Sequence, residues 1–206
     1  MYERFIAAFP PDASREAQPY ANPRLANLGG FPELISIGAG ASFGDGIIRV
    51  HAEGEAQRAR ELARDMFPEF EDAIEPVAED WMGRQIAARL RRNSGTAAEL
   101  LLLEPGSGEA FEIDCNISTL FNDELIDDPD TYLSADLFAE WRRVDSNTLP
   151  PGQCVGFKVP LFLGGSGEVD NLEVVDVEVY WSLLAQLRAG TKDLPPGAKI
   201  SEIRID

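Results

Sequence analysis

The sequence predicts an α+β domain, a mostly antiparallel β-sheet with helices packed on it. Three observations predict it. Residues 74–78 with 84–90, and 100–103 with 110–113, read as two adjacent β-hairpins. Amphipathic segments with helical spacing lie on both sides of them, and strand and helix nowhere alternate in the βαβ rhythm of a parallel sheet.

Phe5, Ile6 and Phe9 predict a short amphipathic helix ended by Pro10 and Pro11. Residues 10–24, with Pro19 and Pro23 and no periodicity, read as an irregular wrapping segment. Pro32 opens a short helix through Leu34, Ile35 and Ile37, which breaks at Gly38-Ala39-Gly40. Residues 47–51 read as a strand. Residues 54–67 read as a helix, with Ala59, Leu62, Ala63 and Met66 on one face, Arg58, Arg60, Glu61, Arg64 and Asp65 mostly on the other, and Pro68 as the stop.

The first hairpin turns at Asp80-Trp81-Met82-Gly83, where the indole is expected to pack on the sheet and the carboxylate to cap local N–H groups. The second turns at Pro105-Gly106-Ser107-Gly108. Ile117, Leu120, Phe121 and Leu125 predict a short helix, and Leu133, Leu137, Phe138, Trp141 and Val144 a longer one over 131–144. The acidic turn Asp127-Asp128-Pro129-Asp130 separates them, and residues 147–152 form a linker. From Cys154 a run rich in Val, Phe and Leu reads as a buried strand closed by Gly164-Gly165. After it, Glu168, Asp170, Glu173, Asp176 and Glu178 come with no Lys or Arg among them and read as a carboxylate-lined loop. Val177, Tyr180, Trp181, Leu184 and Leu187 then mark one face of a helix, with Asp176 as N-cap, Arg188 in the last turn and Gly190 just beyond. Ile200, Ile203 and Ile205 suggest a final edge strand.

The 206 residues, 44% hydrophobic and 26% charged, describe an ordinary globular chain, one domain or two intimately packed subdomains. Charge is the unusual quantity: 36 acidic against 18 basic residues give a formal −18. Such a surface repels nucleic acid and anionic membranes and attracts basic partners, although composition alone names none. Tyr2, Glu3 and Arg4 precede an apolar patch broken at once by prolines, which does not read as a signal peptide, and no apolar run approaches the roughly 18 residues needed to span a bilayer. A cytoplasmic location is expected. Cys115 and Cys154, far apart and each in an apolar context, read as reduced core thiols.

Enzyme signatures fail. The single histidine, His51, would have to serve any Ser-His-Asp or Cys-His arrangement, and its place at a strand end makes it a surface or structural residue. His and Cys are too few for the usual zinc sites, Gly38-x-Gly40 lacks the third glycine of a dinucleotide loop, and no P-loop is present. The carboxylates at 123–130 do not follow calcium-loop spacing and read as a solvated charge run. No catalytic residue, metal or cofactor is expected.

Several separated pieces, in order, resemble a known family. They are Val159-Pro160-Leu161-Phe162-Leu163-Gly164-Gly165, Asn171-Leu172-Glu173, Glu178-Val179-Tyr180-Trp181 and Gln186-Leu187, with Asp80-Trp81-Met82-Gly83-Arg84-Gln85 and Leu102-Leu103-Glu104-Pro105-Gly106-Ser107-Gly108-Glu109-Ala110 upstream. This set is similar to bacterial immunity proteins for type VI secretion DNase toxins. The likeness runs from about residue 74 to 187. Gly38 to Val50, with Phe43-Gly44-Asp45-Gly46, is similar to the Gly-rich opening strand of the wider GAD-like/SUKH-like group. The resemblance implies a SUKH-like α+β fold with an N-terminal region over 1–73 and an immunity-family region over 74–206, packed as one compact unit.

It also implies a binding protein that neutralises a cognate secreted toxin, a nuclease with a basic cleft that suits an acidic surface. The candidate toxin-binding residues are Glu168, Asp170, Glu173, Asp176 and Glu178 first, then Asp123, Glu124, Asp127 and Asp128, with Trp81 as an anchor if its ring is exposed. The alternatives are a SUKH-like interaction module unrelated to toxins and a metal-dependent hydrolase built on the carboxylates.

Overall fold

A computed structural model describes residues 2–12, 18, 20–90 and 98–192. Its centre is an antiparallel six-stranded meander in sequence order: β1 (Ser42–Phe43), β2 (Ile48–Val50), β3 (Ile74–Asp80), β4 (Gln85–Leu90), β5 (Ala98–Glu104) and β6 (Glu109–Ile113). β2 and β3, from either side of position 73, pair directly with Ile48 opposite Asp80. A second, two-stranded antiparallel sheet joins β7 (Gln153–Phe157) to β8 (Leu172–Asp176). The helices are α1 (Glu3–Ala8), α2 (Phe31–Gly38), α3 (Glu53–Met66), α4 (Ile117–Thr119), α5 (Leu125–Asp127), α6 (Pro129–Leu133), α7 (Ala135–Val144) and α8 (Val177–Thr191). The α+β class and both hairpins are as the sequence predicts.

Strand alternation divides the core. Ile86, Ala88, Leu100 and Leu102 join Phe5, Phe31, Leu34, Leu120, Phe121 and Trp141 from the helices on one side. Ala87, Leu101 and Leu103 join Ala63 and Met66 of α3 and Tyr180, Trp181 and Leu184 of α8 on the other. Both faces of the sheet are therefore covered, which is why every residue of β3 is buried.

The turn after β3 ties these layers together. Asp80 Oδ1 accepts the backbone amides of Met82 and Arg84, both at 2.9 Å, and Oδ2 accepts Arg84 Nε at 2.6 Å. Burial pushes the Asp80 carboxyl up to about 6, while Arg84 and the two amides pull it down, so at neutral pH it is a buried, paired anion. Arg84 Nη2 donates onward to the Tyr132 carbonyl at 3.3 Å. Trp81 donates from its backbone to Ile47 O (3.0 Å) and from its indole to Leu133 O (2.8 Å), and its carbonyl accepts Val155 N (2.8 Å). Gly83, at φ 74°, offers its carbonyl to the Trp181 indole at 2.8 Å, and a Cβ there would lie 2.8 Å from Cys154 Sγ. Trp81 is fully buried, so the possible exposed anchor is a core residue; its N–H is satisfied inside the protein, as a buried indole requires.

A second buried knot fixes Asn22 and Arg24. Glu75, wholly buried, pairs with Arg24, accepts Arg60 Nη2 at 2.5 Å and accepts Asn22 Nδ2 at 2.8 Å.

Several elements depart from their sequence readings. The helix expected over 131–144 breaks at Ser134, left-handed at φ 49°, into α6 and α7. Asp128 caps α6 through the Thr131 amide, and Asp130 Oδ1 accepts the Asp136 amide, so local carboxylates stabilise the break. The helix expected over 117–125 contains a π turn, Leu120–Glu124. The strand from Cys154 ends at Phe157: Pro160 has no N–H for a ladder, and Leu161–Leu163 coils into a 3₁₀ turn whose first amide donates to Gly106 O at 2.9 Å. α8 continues through Gly190. The final edge strand lies outside the described residues.

Asp80→Ala leaves the Arg84 guanidinium buried without its anion and two amides without their acceptor. Stability is expected to fall by about 3–5 kcal/mol, read from urea unfolding; a fall below about 1 kcal/mol would mean the pair behaves like an exposed one.

Candidate functional site

Glu168, Asp170, Glu173, Asp176 and Glu178 are all exposed, and they run from the 158–171 loop along β8 to the first turn of α8. Their setting is more ordered than the loop expected from sequence. Leu172–Asp176 is a strand, with Leu172 opposite Phe157 and Val175 opposite Cys154. Leu172 is buried while Glu173 and Asp176 face out. The hydrophobic residues interleaved with the acids explain the difference: Leu172 and Val175 have core positions to fill on opposite faces of the hairpin.

Asn171 holds the loop above this strand. Its Nδ2 donates to Val159 O (2.9 Å) and Ser166 O (2.7 Å), and its Oδ1 accepts Val159 N (3.0 Å). Its carbonyl accepts Lys158 N and its amide donates to Glu168 O. Gly165 sits where a Cβ would come within 1.8 Å of the Val159 carbonyl oxygen, so no other residue fits without moving the loop. Below, Tyr180 packs against Gly156, and its hydroxyl accepts Phe157 N at 3.1 Å.

The carboxylates have different work. Asp176 Oδ1 accepts Val179 N at 3.0 Å and caps α8 as expected. Glu178 pairs with Arg58 of α3 at 3.1 Å, a contact between exposed side chains that sequence spacing does not reveal. Asp170 accepts Ser166 Oγ at 3.4 Å. Among the described residues, the side-chain carboxylates of Glu168 and Glu173 have no hydrogen-bond or ion-pair partner.

The second acidic run makes intramolecular contacts at the surface, with Asp127 and Asp128 exposed and Asp123 and Glu124 half-buried. Arg4 of α1 pairs with both Asp123 and Asp127. Glu124 accepts the Tyr132 hydroxyl at 3.4 Å, and Asp128 caps α6. Arg4 thereby links α1 to the 117–133 helices through Asp123 and Asp127. The nearby Cys115 thiol is pushed up to about 11 by burial and by Glu124, Asp114 and Asp123; it and Cys154 are both free.

Val179 is 64% exposed and Leu183 36% exposed, four residues apart on the outer face of α8 and off its Val177, Tyr180, Trp181, Leu184 stripe. Apolar side chains bordered by Glu178 are the mixture found at protein–protein interfaces, a hydrophobic centre with a charged rim.

His51 is buried, not at the surface. Its Nε2 meets Gln85 Oε1 at 2.6 Å, and Gln85 Nε2 donates to Glu79 Oε2 at 2.9 Å. Glu79 lies 3.8 Å from Arg49, which donates to the carbonyls of Leu149, Pro150 and Gln153. Among the described residues, no group of three or more His, Cys, Asp or Glu side chains converges as a metal site, and no helix is long and apolar enough to cross a membrane.

Residues 116–188 match the family model described as T6SS immunity protein Tdi1, C-terminal. The resemblance to type VI immunity proteins is borne out over this segment, which contains the 158–171 loop, β8 and most of α8. The chain is also similar to a crystal structure of Atu4351 from Agrobacterium tumefaciens, with a TM-score of 0.60 and 14% identity over 90% of this chain and 89% of that one. At that identity the likeness is one of fold. Among curated proteins none matches the chain.

Asn171→Ala removes three side-chain hydrogen bonds from the loop. Exchange of the Val159 and Gly165 amides is expected to accelerate about tenfold or more in hydrogen–deuterium exchange, and unchanged protection would show that the loop is held by other means.

Proposed function

We propose that this protein is an immunity protein that binds and neutralises a cognate type VI secretion toxin, a nuclease, through the acidic surface formed by Glu168, Asp170, Glu173, Asp176 and Glu178. The observation that carries the reading is a run of exposed carboxylates from the Asn171-held loop along β8 to the first turn of α8, inside the segment that matches the immunity family. Glu168 and Glu173 make no internal pair among the described residues, so their charge is directed outward.

A nuclease grips phosphates with a basic cleft, and a chain of formal charge −18 is complementary to it. Such complementarity raises association from about 10⁵–10⁶ M⁻¹s⁻¹ toward 10⁸ or more at low salt. Val179 and Leu183 would supply apolar contact area within the charged rim. The action is stoichiometric binding in the cytoplasm, where the toxin would meet its substrate, and requires no catalytic residue, metal or cofactor. Asp123, Glu124, Asp127 and Asp128 form a second candidate contact in this reading, with Asp123 and Asp127 paired to Arg4 in the free protein.

The test is co-expression with the product of the neighbouring toxin gene, followed by stopped-flow association at low and high salt. The triple variant Glu168→Lys, Asp170→Lys, Glu173→Lys is expected to associate about tenfold or more slowly at low salt, with the gap closing as salt rises. Absence of any complex, with cells still killed, would overturn the immunity reading and favour an interaction module for another protein.

A further inference from the structure

Beside Asp176 and Glu178 the surface dips into a cavity of ≈ 220 Å³ between α3, the start of α8 and strands β2–β4. Its floor is the polar row Arg49, His51, Glu79 and Gln85, each more than nine-tenths buried. Glu55, Arg58, Asp176 and Glu178 stand around it. Ala59, Leu62, Pro151 and Val177 complete the lining, so the pocket combines a charged floor and rim with an apolar wall.

The sign of its charge follows from the lining. Four carboxylates, Glu55, Glu79, Asp176 and Glu178, face two guanidinium groups, Arg49 and Arg58. Arg58 is engaged by Glu178, and Arg49 by Glu79 and three backbone carbonyls. The N-termini of α3 and α8 also reach the cavity and add about half a positive charge each. They do not reverse the balance, and each already holds a carboxylate: Glu55 accepts Ala52 N at 2.8 Å and Asp176 accepts Val179 N at 3.0 Å. A recess with low-dielectric walls strengthens the attraction of this negative excess for a cation.

We propose that this cavity receives one basic side chain, an arginine or a lysine, from the bound toxin. The inference rests on the immunity reading and adds an anchoring site to it. Asp176 and Glu178 belong both to the outer carboxylate group and to the cavity, so a basic segment drawn to the surface would meet the recess directly. Exposed carboxylates then govern how fast the toxin arrives, and the recess governs how slowly it leaves, because desolvated charge contacts act mainly on dissociation.

The single histidine of the chain, His51, lies in the floor, so its imidazole NMR signals report on the cavity without ambiguity. Titration with argininamide or lysinamide is expected to move these signals saturably, with a dissociation constant of about 1–10 mM, while acetate leaves them in place. Glu55→Gln with Asp176→Asn removes two charges, yet each amide oxygen can still accept the capping N–H. This double variant is expected to weaken the titration about tenfold and to speed toxin dissociation about tenfold or more. No shift with either cation, a shift with acetate instead, or unchanged toxin dissociation in the double variant would overturn the proposal. If wild-type protein forms the toxin complex and Glu168, Asp170 and Glu173 govern its association, such a result removes the cavity and leaves the immunity reading standing. If no complex forms at all, both fall.

Discussion

The turn between β3 and β4 buries an aspartate–arginine pair, and charges taken out of water are tolerable only when each keeps its hydrogen-bonding partners. Asp80 has two amides and Arg84; Arg84 has Asp80 and the Tyr132 carbonyl. Meeting these demands fixes the path of residues 80–84, and that path presents the Trp81 and Gly83 carbonyls to Val155 and Trp181. The second sheet and α8 are positioned by these bonds. The carboxylate surface is therefore oriented by a charge pair on which it has no direct contact to depend, through α8 and β7 as rigid intermediates.

This arrangement separates scaffold from contact surface. The sequence pieces that carry the family resemblance include the most constrained parts of the structure: Gly83 against Cys154, Gly106 against Phe157 and Tyr180, Gly165 against the Val159 carbonyl, and Asn171 inside its loop. The acids that the proposal assigns to binding lie between those pieces or at their edges, with their side chains in solvent. A rigid mount lowers the ordering cost of association, since the loop does not have to be immobilised when a partner arrives.

Much of the fold was legible because local pattern and tertiary environment agree. The Pro105–Gly108 turn, the α3 stripe and the Asp176 cap follow from spacing and residue type alone. β8 was not legible, because a strand with Glu173, Val174 and Asp176 exposed looks like a charged loop until β7 is beside it. The break at Ser134 was hidden by an apolar periodicity that continues across it, from Leu133 to Leu137 and Trp141. The candidate site was partly legible: the carboxylates were, whereas Arg58 opposite Glu178 and Arg4 opposite Asp123 and Asp127 join positions remote in sequence. Trp81 packs inside as the hairpin reading expects, but the partners that cover its turn, in α6, β7 and α8, come from positions remote in sequence.

The meander order of the six strands has a consequence in time. Each strand pairs with its predecessor, so the sheet can assemble from sequence-local contacts as the chain lengthens. The Trp181 indole, by contrast, must find a carbonyl 98 positions earlier. The carboxylate face therefore depends on the contacts that span the longest stretch of chain, and its formation is expected to follow that of the meander.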